Sequence, residues 1–273
     1  MLDYRIYHDD CLNLLGQMKN HCIDAVVTDA PYPCIPRAYG MMSEAEWLKM
    51  MVSLVTECRR VLTPSGSAVI LVQPNSSKAG SLRHWHLEFT LWAARYWNVV
   101  QDDYLINTCA MPVGSSTTKG LLRSATKWAV WIGNSDCYRD QESILLPESE
   151  GNKISRMTAR HEKKHRPCGY TIDIKRSHSA AVKRGGVTPF NFFPSGNARH
   201  GTKHPAVTPL SWCERWVKYI CPPGSIVLDP FCGSGTVGMA ALKHGRRFVG
   251  IEQMSEYVEI AHRRIESIST DAA

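Results

Sequence analysis

Two strand ends in this 273-residue chain carry residues whose types and spacing could do chemistry. The first lies in "IDAVVTDAPYP", Ile23 to Pro33, where an apolar run halts at Asp29 and Ala30, Pro31 and Tyr32 follow at once. An acid, a proline and an aromatic there make either a tight turn or a reacting site, and the quartet alone does not decide. The second is "LDPFCGSGT", Leu228 to Thr236. A strand ends at Asp229, and Gly233 and Gly235 let the backbone fold tightly and approach a ligand before a helix begins. The next strand, "RFVGIE", ends in another acid, Glu252, placed to hydrogen-bond ribose hydroxyls as acids do in nucleoside-binding sheets. A glycine turn by itself also arises from packing. Turn, helix, strand and terminal acid together point to an adenosine-containing ligand. No G-x-x-x-x-G-K-[ST] phosphate loop is present, which disfavours a nucleotide triphosphatase.

The elements that must position these residues are legible around them. "SIVLD", the glycine turn, "VGMAALKHG" and "RFVGIE" form a βαβ unit, so the expected fold is α/β: a Rossmann-like, doubly wound, mostly parallel sheet. Val26 and Val27 belong to the short strand that leads to Asp29. Ser43 opens a helix with Glu46 in capping-box position, and Trp47, Met51, Leu54, Val55, Cys58, Val61 and Leu62 make its apolar stripe. Pro64-Ser65-Gly66 ends that helix and "SAVILV" is the next strand. A second helix is expected over Leu82 to Trp97, its aromatics serving core or subunit interface rather than a cofactor. "NVVQDDYLI" and "KWAVWIG" read as two more strands. Order returns at "HPAVTPLSWCERWVKYICPPG", where Thr208 suits an N-cap and Pro209 the first helical position.

Between those parts periodicity fades and charge accumulates. Lys153 to Arg184 holds ten Lys or Arg against two acids, a net of +8, so the rest of a chain of formal charge +7 sums to −1. Such a segment is either a solvated basic loop or a surface for polyanions. The expected division is residues 1–133, an inserted basic lobe at 134–200, and 201–273. Ten cysteines stand singly with no C-x-x-C pair, which argues against a zinc site. The N-terminus lacks the layout of a signal peptide and no apolar run is long enough to cross a bilayer, so a cytoplasmic protein with reduced thiols and no membrane association is expected.

The pieces "TDAPYP", "GTKHPAV", "LDPFCGSGT" and "FVGIE" together resemble the S-adenosylmethionine-dependent DNA amino-methyltransferases. The catalytic motif precedes the cofactor motif, as in the family's β group. The resemblance implies S-adenosyl-L-methionine as cofactor, S-adenosyl-L-homocysteine as product, and no metal. It implies cofactor contacts at Asp229, Phe231, Cys232, Gly233, Gly235, Thr236 and Glu252. "YHDDCL" matches the stretch near the adenine amino group, which adds Asp10 and Cys11, and "KHPA" matches the segment at the methionine end, which adds His204. Cys232 needs only to be small. Cys34, in Pro33-Cys34, superficially resembles the nucleophile of C5-cytosine enzymes but precedes the cofactor motif, so an inert thiol is expected.

The resemblance also gives the quartet its roles. An exocyclic amino nitrogen is a poor nucleophile because its lone pair is delocalised into the ring. Acceptors on its hydrogens draw it toward tetrahedral geometry, one from the Asp29 carboxylate and one from the Ala30 carbonyl. Tyr32 can stack on a base flipped out of the duplex. Ala30 departs from the usual proline. Its carbonyl remains, and Pro31 still biases it toward an extended backbone, at some loss of rigidity. The basic lobe becomes the target-recognition region on double-stranded DNA, with Arg156, Arg160, Lys163, Lys164, Lys175 and Arg176 as candidates for phosphate contacts. Adenine N6 is favoured over cytosine N4 because the motif opens with Asp. An RNA methyltransferase, and a DNA-binding protein whose methyltransferase site has decayed, remain as alternatives. A homodimer is left open.

Overall fold

The computed structural model describes residues 2–37, 40–77, 81–110, 122, 124–147, 163–165, 171–173, 183–196 and 207–270. Its elements run β1 (Tyr4–His8), α1 (Cys11–Gln17), β2 (Ile23–Asp29), α2 (Glu44–Val61), β3 (Leu62–Val72), α3 (Trp85–Tyr96), β4 (Val99–Asn107) and β5 (Thr126–Gly133). There follow β6 (Lys163–His165), β7 (Thr171–Asp173), β8 (Phe192–Ser195), α4 (Leu210–Ile220), β9 (Ile226–Asp229), α5 (Thr236–Lys243), β10 (Arg247–Glu252) and α6 (Ser255–Thr270). Eight strands form one sheet in the order β1-β10-β9-β2-β3-β5-β4-β8. β5 runs antiparallel to both neighbours, and every other pairing is parallel.

Period-two alternation along the strands decides which helices cover which face. Val26, Ile70 and Val130 pack with Leu15, Trp47 and Phe89, so α1, α2 and α3 share one layer. Val27, Leu71 and Trp131 point the other way and pack with Trp216, Val237 and Ile265 from α4, α5 and α6. A sheet with helices on both faces is the doubly wound architecture the βαβ unit implies.

Three boundaries differ from the sequence reading, the last two because a polar group has another partner. The Ser43–Glu46 capping box forms, but α2 runs straight into β3 at Leu62, and residues 63–66 are absorbed by a register shift. α3 starts at Trp85, because the Arg83 amide donates to the Asn75 carbonyl and Leu82 bridges Ser76. α4 starts at Leu210 with Pro209 at its N-cap, and Thr208 lies outside it with its hydroxyl bound elsewhere.

The chain divides into two compact units, Met1–Arg139 with Asn191–Ala273, and Asp140–Phe190. In the second, β6 pairs antiparallel with β7, and Leu146 and Val187 exchange backbone hydrogen bonds of 2.9 Å. Among the described residues, no helix is long and apolar enough to cross a membrane and no cluster of metal-ligating side chains occurs.

Candidate active site

β2, β9 and β10 are neighbours in the sheet, and each ends in an acid: Asp29, Asp229 and Glu252. A cavity of about 310 Å3 opens at that edge. All four members of the Asp29 quartet line it, as do Asp10, Cys11, Asp229, Phe231, Cys232, Gly233, Thr236 and Glu252. Gly235 does not, and His204 lies outside the described residues.

The glycine turn is built by local constraints. Gly233 and Gly235 have φ of +51° and +76°, a region costly for residues with a Cβ. A Cβ on Gly235 would also lie 3.0 Å from that of Ala261, so this glycine lets α5 pack against α6. Arg264 fastens the turn from α6, its Nη1 donating to the Ser234 carbonyl and hydroxyl at 2.6 Å each and to Thr236 Oγ1 at 3.0 Å. Glu252 accepts from the Gly233 amide at 2.8 Å through Oε2 and from the Met254 amide at 2.9 Å through Oε1. Burial raises its pKa against the pull of those amides. Asp229 is more deeply enclosed: Oδ1 accepts from the Thr28 hydroxyl at 2.6 Å and the Phe231 amide at 3.1 Å, and burial raises its pKa to about 7.

Asp10 is the N-cap of α1, its Oδ1 accepting from the amides of Leu12 at 2.9 Å and Asn13 at 3.2 Å. Burial pushes the Cys11 thiol up to about 12 and that of Cys232 well above the usual range, so neither is a thiolate at neutral pH. Cys232 is held by packing, since a Cβ on Gly250 would meet its sulfur at 2.8 Å.

The quartet is tied down at several points. The Ala30 amide donates to the Leu71 carbonyl at 3.2 Å. The Pro31 carbonyl accepts from Trp47 Nε1, and the Pro33 carbonyl from Asn75 Nδ2 at 2.8 Å. The Tyr32 ring lies 6.4 Å from that of Trp85 at 29°, and its hydroxyl donates to Asp29 Oδ1. Asp29 Oδ2 accepts from Lys127 Nζ at 2.8 Å and Thr208 Oγ1 at 2.7 Å. Lys127 reaches Asp29 because β5 is reversed. Asp29 is level with Leu71, and Leu71 with Ala129, so Lys127 stands two positions farther toward the cavity edge, on the same face as Ala129.

Sequence reasoning missed Lys127, Thr28 and Arg264, and gave Thr208 a capping role. Arg37, the cationic side chain among the described cavity-lining residues, was also passed over. None carries a local motif. Arg156, Arg160, Lys175 and Arg176 lie outside the described residues, and Lys163 and Lys164 are on β6 in the second unit.

A doubly wound sheet whose adjacent strand ends share one acid-lined cavity defines an α/β protein with its candidate site at the carboxyl ends of its strands, where open sheets of this kind bind ligands. The chain belongs to the N6/N4 DNA methylase family, whose model, described as DNA methylase, matches residues 23–263. It is 26% identical over 271 residues to the DNA adenine methyltransferase YhdJ of Escherichia coli (strain K12), covering 97% of this chain and 83% of that one. Its fold is that of the cytosine-N4-specific PvuII DNA methyltransferase, with a TM-score of 0.75 at 18% identity over 96% of this chain and 86% of that one. It also matches the protein TTHA0409 of Thermus thermophilus in complex with S-adenosyl-L-methionine, with a TM-score of 0.62 at 20% identity over 97% and 95% of the two chains. The family is that of the S-adenosylmethionine-dependent DNA amino-methyltransferases, so DNA is the substrate class and an exocyclic amino group the acceptor.

Proposed function

We propose that the chain methylates the N6 amino group of adenine at specific sites in double-stranded DNA, with Asp29, Ala30, Pro31 and Tyr32 as the reacting loop. The observation that carries this is the Asp29 carboxylate sharing one cavity with the glycine turn and Glu252. About 310 Å3 is in the range of small-molecule sites. Five acids and one arginine among the described lining residues suit a ligand of net positive charge. Glu252 keeps lone pairs for ribose hydroxyls beyond the two amides it already accepts. S-adenosyl-L-methionine supplies an electrophilic methyl group on a sulfonium.

The residues of the chain do the rest. Asp29 accepts a hydrogen bond from one N–H of the amino group and the Ala30 carbonyl from the other, turning the nitrogen lone pair toward the methyl group. As the N–C bond forms and the S–C bond breaks, the nitrogen gives up one proton by way of the Asp29 carboxylate to solvent. Tyr32 offers a ring for the base, and the tethers on Pro31 and Pro33 fix the loop so that the approach is in line. Phe231 and Thr236 line the cofactor end, and S-adenosyl-L-homocysteine leaves. Lys163 and Lys164, with Arg156, Arg160, Lys175 and Arg176, contact phosphates.

Adenine is favoured by the acid that opens the quartet and by the likeness to YhdJ. Cytosine N4 is the second reading, favoured by the fold of the PvuII enzyme. Labelled cofactor incubated with unmethylated, PCR-amplified DNA, followed by digestion and mass spectrometry of the nucleosides, decides. N6-methyladenine is expected. N4-methylcytosine moves the assignment to the second reading, and no labelled nucleoside removes both.

A further inference from the structure

We infer that Lys127 and Thr208 are positioning residues that commit one oxygen of Asp29 to the protein and reserve the other for the amino group being methylated. This deepens the proposed amino-methyl transfer and rests on it. Three separate stretches of chain converge on the Asp29 carboxylate. Lys127 Nζ at 2.8 Å and Thr208 Oγ1 at 2.7 Å both take Oδ2, and the Tyr32 hydroxyl takes Oδ1. The ion pair is largely enclosed, with 22% of the lysine side chain and 21% of the aspartate side chain exposed. It is therefore less screened than a surface pair.

The asymmetry between the two oxygens carries the inference. The last torsion of an aspartate side chain is broad and two-fold, so an untethered carboxylate samples many orientations. Two donors on the same oxygen, one on β5 and one just before α4, remove that freedom and fix where Oδ1 points. Oδ1 faces a donor that can change places. Tyr32 is only three residues along a loop that lines the cavity. When its ring turns to meet a base, its O–H leaves Oδ1 and the amino N–H of the base takes the position, one hydrogen bond exchanged for another. The Lys127 ammonium, 5.4 Å from the centre of the Tyr32 ring, holds the aspartate throughout this exchange.

The test uses the full chain with S-adenosyl-L-methionine and PCR-amplified DNA, in single turnover. Lys127→Met and Thr208→Val should each slow methyl transfer by about 10- to 100-fold, the scale of loss when a reacting group is misplaced. Cofactor affinity by calorimetry and the DNA concentration at half-saturation should stay within a few-fold. Lys127→Arg and Thr208→Ser should recover most of the rate. The double variant should lose less than the product of the two single losses, because both act through one carboxylate. An unchanged rate in Lys127→Met, or a loss that appears wholly as weaker cofactor binding, overturns the inference. If the wild type transfers no methyl group, the methyltransferase reading fails on its own account. Crystal structures of wild type and Lys127→Met then decide the positioning claim: the Asp29 carboxylate should rotate in the variant, and an unmoved carboxylate overturns it.

Discussion

The amide of Ala30 donates a 3.2 Å hydrogen bond to the carbonyl of Leu71, which keeps β2 joined to β3 one residue past its terminal acid. The amino-methyltransferases that this quartet resembles usually have proline at that position, and proline has no amide hydrogen. The alanine therefore holds by a hydrogen bond what a ring would hold by stiffness. Ala30→Pro should lower stability, since an acceptor left unmet costs about 1–3 kcal/mol while the stiffer unfolded chain returns about 0.4–1 kcal/mol. Its carbonyl survives, so the single-turnover rate should not fall with the melting temperature. Thermal melts beside single-turnover assays measure both, and a folded but inactive proline variant would show that the alanine backbone does more than present its carbonyl.

Asp29 and Glu252 should separate chemistry from cofactor binding. Asp29→Ala should abolish methylation and leave cofactor affinity within a few-fold. Glu252→Ala should weaken cofactor binding by about 1.5–3 kcal/mol, the range for hydrogen bonds to a charged group. The same change strands the amides of Gly233 and Met254, so it should also lower the melting temperature. Calorimetric titration of both variants is the measurement. A large cofactor defect in Asp29→Ala would mean that the two strand ends do not divide the work.

Asp229 should make stability and affinity depend on pH in opposite senses. Burial is the largest cause of its raised pKa, about 7, with Asp29 and Glu252 adding to it and the Thr28 hydroxyl and Phe231 amide opposing. In the unfolded chain the group ionises near 3.8. Its contribution to stability is therefore fully present below that value and is lost as pH rises toward 7. Urea melts from pH 4 to 8 should show Asp229→Asn gaining on the wild type across that window. A cationic ligand in the cavity favours the ionised form, so cofactor affinity should rise from pH 6 to 8 with release of a proton. The raised pKa of Glu252 works in the same direction. A wild-type affinity that is flat with pH would refute the coupling.

Much of the glycine turn was legible because it is local. Phe231, Gly233, Gly235 and the helix they open lie within a few residues of one another, and only two positive φ angles and one close approach were needed to specify the turn. What surrounds Asp29 was not legible, for a physical reason. Lys127 is 98 positions away and Thr208 is 179, and neither has a neighbour that marks it. Thr208 was misread because threonine before a helix is usually a cap, and here the hydroxyl has a charged acceptor nearby. Lys127 looked like an ordinary strand lysine until the reversed direction of β5 brought it to the cavity edge.

The run of ten cations in 32 residues makes a separate prediction for DNA affinity. If it grips the phosphate backbone, binding to any duplex should weaken steeply with salt through counterion release. Removing charge at Lys163 and Lys164, on β6, should lower affinity for target and scrambled duplexes by similar factors. The salt slope should flatten by about one unit for each phosphate that is no longer neutralised. Fluorescence anisotropy across a salt series measures this. An unchanged slope in the double variant would move the DNA to another surface.

β1 and β2 are consecutive along the chain yet stand apart in the sheet, with β10 and β9 between them. Both of those strands come some two hundred residues after β2, at Ile226–Asp229 and Arg247–Glu252. As the chain is made, β1 therefore has no partner and β2 only one until β9 and β10 have followed. The strand that presents Asp29 waits with one bare edge, and such edges template pairing with other chains. Covering the bare edge beside Asp29 and bringing Asp229 and Glu252 to the cavity thus depend on the same two strands, β9 and β10.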